Sequence, residues 1–332
     1  MSKAFKSGLI IFIVLIVLLL ALTAAQLFGK SGGNTGRHIS AEIKITQNEA
    51  DKAVKKNKGY IAALSIEGTI EEENSTYNQE WLLSTIDELK NDDKNLGMAI
   101  YINSPGGAVY QADEVYLALQ DYKTKGKKIY VYQGPMAASG GYYISCAGDK
   151  IYANRNTLTG SIGVISGEFY DVSELIESLG IKAETIHSGR NKLMGSVTEP
   201  LTDEQREIMQ TISDECYNQF CSIVCSQRHI PFGKVHELAD GRIYTAYQAL
   251  ENGLIDNIDS WENMLTQMME QEYETEVKVN YYSYEAPVNV MNMLMGIVSK
   301  IGQLQTAATL GIPEAVVEKI NSFDSYPAYL YK

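Results

Sequence analysis

Histidine is scarce: four occur in 332 residues. His38 lies in a polar linker, His229 and His236 flank a turn, and only His187 falls near a predicted core segment. A reaction here that needs a general base has little imidazole to draw on. Cysteine is equally sparse, at Cys146, Cys216, Cys221 and Cys225. Three of these fall in one predicted helix, with no CxxC pair and no histidine at ligand spacing. That pattern argues against a disulfide scaffold and against a zinc site, and reads as small buried hydrophobes. An excess of basic residues is also missing: 28 Lys and Arg stand against 41 Asp and Glu, a net charge of -13. A nucleic-acid partner, which needs a basic face, is not expected. The chain shows no sequence repeat and no low-complexity tract.

What is present begins with a long apolar run. "GLIIFIVLIVLLLALTAAQLF", Gly8 to Phe28, carries no charge. About 20 such residues span a bilayer as a helix. Lys3 and Lys6 precede it, which predicts a cytoplasmic N-terminus and a domain on the far side of the membrane. The competing reading is a cleaved signal peptide, against which the run is long and "LTAAQ" is a weak cleavage site. The expected organisation is an anchor over 1–29, a linker over 30–57, a domain over 58–280 and an extension over 281–332.

Within the domain, strand and helix patterns alternate. Tyr60–Gly68, Gly97–Asn103, Lys128–Gln133 and Lys150–Ala153 read as strands. Glu80–Lys90 reads as a helix, as does the stretch from Gly106 to Gly126, where Ala108, Ala112, Val115, Leu119 and Tyr122 form a stripe. This rhythm predicts an α/β core of repeated β/α units. Further on, "SIGVISGEFY" and "IKAETIHSG" read as strands and "DVSELIESLG" as a helix. Thr202–Arg228 reads as one long helix capped by Thr202, with Glu204 and Gln205 close behind. The Met-rich stretch "PVNVMNMLMGIVSKIGQL" suits a membrane-surface helix, an oligomer contact or a last domain helix.

Three glycine-bearing turns carry the chemistry. "NSPGG", Asn103 to Gly107, joins a strand to a helix, and its backbone N–H groups suit a phosphate or an oxyanion. "PMAASGG" places Ser139 between alanines and glycines where a strand hands over to a helix. That is the logic of a nucleophile elbow, without the GxSxG residues. A serine at a helix start is ordinarily a cap, but a cap does not need small residues on both sides. "TLTGSIGV" holds Ser161. For a base, "IHSGRNK" offers His187 or Lys192. A lysine serves only where desolvation removes its proton near neutral pH, at about 4 kcal/mol.

Together these residues resemble the signal peptide peptidase A family, membrane-anchored serine peptidases. The resemblance runs from Tyr60 to about Asp256. It rests on "YINSPGGAVYQADEVY", "PMAASGGYYISCAGDKIYANRNTLTGSIGV", "HSGRNKLMGSVTEPLTDEQRE" and "LADGRIYTAYQALENGLID", in family order. It implies a fold like crotonase and Clp protease. It also implies Ser139 as nucleophile, Lys192 as general base, Ser161 orienting the lysine, and Gly106 with Gly107 as the oxyanion turn. No cofactor and no metal are implied. Peptides such as signal-peptide remnants would be cleaved through an acyl-enzyme, in a homo-oligomeric ring whose sites are shared between neighbouring subunits. Asp240 and Arg242 are expected to pin a loop and to do no chemistry. Two other readings compete: a crotonase-like acyl-CoA binder, which an outward-facing domain disfavours, and a silent membrane scaffold, which the intact Ser139, Lys192 and Ser161 disfavour.

Overall fold

The computed structural model describes residues 39–41, 59–286 and 328–330. The apolar run expected to anchor the chain, most of the expected linker and the Met-rich stretch lie outside the described residues. Among the described residues, no helix is long and apolar enough to cross a membrane.

The fold is α/β. In chain order the strands are β1 (Ile39–Ala41), β2 (Tyr60–Glu67), β3 (Asn95–Ser104), β4 (Gly106–Ala108), β5 (Lys128–Ala138), β6 (Lys150–Ala153), β7 (Leu158–Gly160), β8 (Ile243–Thr245), β9 (Asn257–Ile258), β10 (Lys278–Tyr282) and β11 (Ala328–Leu330). The helices are α1 (Gln79–Asn91), α2 (Val109–Lys123), α3 (Gly140–Ser145), α4 (Ser173–Ser178), α5 (Asp203–Arg228), α6 (Phe232–Leu238), α7 (Ala246–Glu251) and α8 (Trp261–Glu272). One sheet runs β1-β10-β2-β3-β5-β6-β9. Its pairs are parallel from β10 to β9, and β1 closes the edge antiparallel to β10.

Parallel strands buried on both faces read as near-continuous apolar runs, and successive side chains serve opposite sides. Leu64, Ile100 and Val131 pack on one face with Leu82 and Ile86 of α1 and Val115 and Leu119 of α2. Ile61, Ala99, Tyr130 and Tyr132 pack on the other, under Met264, Leu265 and Met268 of α8. The predicted stripe of α2 is the buried one: Ala112, Val115, Leu119 and Tyr122 are wholly covered. At α5, Thr202 and Gln205 form a reciprocal capping box.

The structure departs from the sequence reading in three places. Strand β5 does not stop at Gln133 but continues through Gly134 and Pro135 to Ala138. Its outer half gains a partner in β7, and a register shift opposite Ile102–Ser104 accommodates the proline, which has no N–H to pair. Helix α2 begins at Val109, because Gly106–Ala108 is a strand held against Ile70. The two strands expected in 161–170 and 181–187 are not formed. Residues 163–204 contain no buried position, so those extended segments lack a sheet to join.

Candidate active site

Strand β5 delivers the chain to Ser139, which adopts φ 54° and ψ -116°. L-residues rarely enter this region, and holding one there costs of order 1–3 kcal/mol. Two backbone hydrogen bonds enforce it. The Ser139 N–H donates to the Gly160 carbonyl at 2.7 Å, and the Ser139 carbonyl accepts from the Tyr143 N–H at 2.9 Å, opening α3. Ser139 is buried, and its Oγ meets no hydrogen-bond partner among the described residues. A hydroxyl left so is unfavourable for stability, and such groups are found where a reaction requires them.

The small residues around Ser139 allow close approach. A Cβ on Gly140 would stand 3.3 Å from both Gly106 Cα and Gly107 N, and one on Gly141 would stand 3.0 Å from the Ser104 carbonyl oxygen. Helical glycine costs about 1 kcal/mol relative to alanine. In return the "SPGG" turn lies directly on the start of α3. Gly106 takes φ 107°, and its N–H donates to the buried Ser104 Oγ at 3.1 Å. The Ile70 N–H donates to the Gly106 carbonyl and the Ala108 N–H to the Ile70 carbonyl, both at 2.8 Å. Strand alternation therefore turns the Gly107 N–H to the opposite edge. Along that edge β11 pairs antiparallel, Ala328 with Ala108, Tyr329 with Gly107 and Leu330 with Gly106. Gly107 admits no side chain, since a Cβ would fall 1.8 Å from the Ile70 oxygen.

Ser161 follows β7 and has φ 51°, the second strained serine in this region. Its N–H donates to the Arg242 carbonyl at 2.8 Å. Arg242 Nε in turn bonds both Asp240 carboxylate oxygens at 2.8 Å, which pins that loop as expected. These hydrogen bonds hold the Asp240 carboxyl below the usual carboxylate range. Ser161 also lines a cavity of about 410 Å³ with Val164, Ser213, Tyr217 and Asp240. The pairing of Ala138 with Gly160 sets Ser139 and Ser161 at the ends of neighbouring strands.

Lys192 stands apart. It is exposed in a turn closed by its own N–H to the Gly189 carbonyl at 3.0 Å. Arg190 and Asn191 tie that turn to Glu204 at the start of α5. His187 is exposed beside it. One chain thus brings together Ser139, Ser161, Gly106 and Gly107, and no hydrogen bond joins Lys192 Nζ to Ser139 Oγ. Among the described residues no group of three His, Cys, Asp or Glu is placed to hold a metal ion.

Residues 121–275 match the model of Peptidase family S49. The chain is 33% identical over 299 residues to a protein named signal peptide peptidase SppA from Enterococcus faecium, spanning 87% of this chain and 85% of that one. It is 35% identical over 253 residues to the protease slr0021 of Synechocystis, spanning 75% of this chain and 88% of the relative. Protease 4 of Haemophilus influenzae is 29% identical over 307 residues, and the matched stretch is 49% of its length. Among solved structures, a Listeria monocytogenes ClpP1 mutant aligns with TM-score 0.42 and 17% identity, over 61% of this chain and 94% of that one. This chain belongs to peptidase family S49. It is a serine peptidase of the signal peptide peptidase A type, and its substrates are peptides.

Two features of this S49 site escaped sequence reasoning. Gly140 reads in sequence only as a small neighbour of Ser139, although its backbone packs directly on Gly106 and Gly107. The tail strand β11 was also missed. Its "AYLY" composition is a β signal, but three residues identify no partner.

The strain at Ser161 separates hydroxyl from backbone. Ser161→Gly relaxes φ 51° yet removes the Oγ, whereas Ser161→Ala removes the Oγ and keeps the strain. If the hydroxyl matters, both variants fold and both lose activity, by a factor on the order of 10 to 1,000. Peptide hydrolysis and thermal melting measure this, and wild-type rates in both would reduce Ser161 to a turn residue.

Proposed function

We propose that Ser139 and Lys192 form a Ser–Lys dyad that hydrolyses membrane-derived peptides, signal-peptide remnants among them, through an acyl-enzyme. The observation that carries this reading is the buried, unpartnered Ser139 hydroxyl on a strained backbone, one residue before the Gly140 that packs on the glycine turn. A neutral Lys192 amine takes the Oγ proton while Oγ attacks the scissile carbonyl carbon. The Gly106–Gly107 turn holds the oxyanion; the Gly106 N–H is taken by Ser104, which leaves the Gly107 amide as its donor. The intermediate collapses, and the leaving amine takes the proton back from Lys192. Water, deprotonated by Lys192, then attacks the ester; collapse releases the carboxylic product and restores Ser139. Ser161 orients the lysine amine. The substrate lies antiparallel along β4, on the edge that β11 occupies.

The lysine comes from a neighbouring copy in a homo-oligomeric ring. Residues 163–204 support this: Phe169, Leu175, Leu179, Ile181 and Ile186 are exposed, Ile186 at 96%. Helix α4 has six residues and buries none, too short to stand alone in water. An apolar arm of this kind calls for a partner surface, and it bears Lys192. The apolar run Gly8–Phe28 would anchor the chain as a single-pass span, N-terminus cytoplasmic and peptidase domain extracytoplasmic.

A fluorophosphonate probe is expected to label Ser139. Ser139→Ala and Lys192→Ala should each abolish hydrolysis while His187→Ala retains it; a dead His187→Ala beside an active Lys192→Ala reverses the base assignment. Mixed rings of Ser139→Ala and Lys192→Ala chains should recover about a quarter of wild-type activity, one half for each required neighbour. Zero recovery in a verified mixed ring would leave the dyad within one subunit. Removing residues 326–332 opens the β4 edge, so KM for a short peptide should fall with kcat maintained. An unchanged KM would mean that β11 and substrate do not share that edge.

A further inference from the structure

We propose that Ser104 is a positioning residue for peptide hydrolysis: its hydroxyl fixes the turn that aims the Gly107 N–H at the reacting carbonyl. The proposal rests on Ser139 being the nucleophile. Ser104 is fully buried at the end of β3, where Met98, Ile100 and Ile102 on the same face are apolar. Its Oγ lies 3.1 Å from the Gly106 nitrogen and accepts that N–H, a side-chain-to-backbone turn two residues long. Pro105, between them, has no N–H of its own. The Ser104 hydroxyl is therefore the group that ties this turn from within.

Gly106 is the residue that needs tying. At φ 107° it is in a region open to glycine, and glycine visits either sign of φ with little preference. One edge of the turn is secured by the Ile70 bonds to Gly106 and Ala108. Those bonds leave the Gly107 amide on the other edge, where its direction follows from the Gly106 dihedrals. The Ile70 N–H holds the Gly106 carbonyl and so the peptide plane leading to Gly107, while Ser104 holds the Gly106 N–H and so the plane before it; the two together fix the Gly106 dihedrals. Without the hydroxyl, a buried N–H loses its acceptor and the peptide plane between Pro105 and Gly106 can turn to seek another, which shifts the turn that carries Gly107.

Ser104 also reaches the nucleophile's side of the site. Its backbone pairs with Ala137, two residues before Ser139. Its carbonyl oxygen and Cβ lie 3.0 and 3.3 Å from where a Gly141 Cβ would stand. One residue thus sets the distance between the oxyanion turn and α3. An oxyanion donor acts on charge that develops in the transition state, so misaiming it lowers the chemical step more than ground-state binding.

The test compares wild type with Ser104→Ala in the full-length assembly. Ser104→Ala is expected to lower kcat about ten- to hundredfold, less than deleting a donor outright, with KM within about twofold. A peptide aldehyde, which adds Ser139 Oγ to its carbonyl and places an oxygen at the donors, should lose affinity in step with kcat. The corresponding peptide alcohol, which forms no such adduct, should bind as before. Unchanged kcat overturns the proposal. So does a variant in which aldehyde and alcohol weaken equally, because that is a general loss of structure. If Ser104→Ala does not fold, Ser104→Cys keeps the size with a weaker acceptor and is read the same way. Wild type that the fluorophosphonate leaves unlabelled at Ser139 would sink the nucleophile reading itself. Labelled wild type beside an unaltered variant sinks Ser104 alone.

Discussion

The hydrogen bond from the Ser139 N–H to the Gly160 carbonyl, 2.7 Å, is the constraint on which the site depends. It is the last rung of the β5–β7 ladder, placed where β5 has already ended. It holds Ser139 in a backbone state that serine avoids, and thereby turns the chain into α3. The cost is met by what surrounds it. β5 is clamped by β3 on one side and by β6 and then β7 on the other, and a strand so enclosed cannot relax its final residue. Strain persists only where its surroundings over-determine it.

The second constraint is distance. Two backbones, the "SPGG" turn and the start of α3, touch because Gly140 and Gly141 present no Cβ, and Gly107 lets the same turn lie on Ile70. Each glycine weakens its own element slightly, and together they bring the glycine turn against the start of α3, one residue past Ser139. The groups that meet there are backbone, so their placement is set by strand pairing rather than by rotamers.

The remainder of the domain divides sharply between order and exposure. The sheet and α1, α2 and α8 bury their apolar faces, whereas residues 163–204 have no fully buried position within one chain. The second region is less apolar in sequence, yet it still carries large apolar side chains such as Phe169, Leu175, Leu179, Ile181 and Ile186. The difference lies in partners: the first finds them in the same sheet, and the second carries its apolar side chains outward. Arg190 and Glu204 tether the arm through an exposed ion pair, a contact too weak to fold a segment by itself.

Local patterns in the sequence determined the β/α rhythm, the helix stripe Ala112–Val115–Leu119–Tyr122, the Thr202 cap and the three turns that converge on Ser139. These are legible because each is written in neighbouring residues: apolar spacing, a capping hydroxyl, glycines where backbones must pass. Only the tertiary structure decided that β5 runs on to Ala138, that Gly106–Ala108 is a strand, that β11 pairs with it, and that Gly140 packs on Gly106 and Gly107. Those outcomes rest on backbone hydrogen bonds between residues far apart in the chain, and a backbone N–H carries no signature of its partner in the sequence. The expected strands in 161–170 and 181–187 failed for the same reason. Alternating apolar residues supply a strand's side chains, but an edge to pair with comes only from another part of the fold.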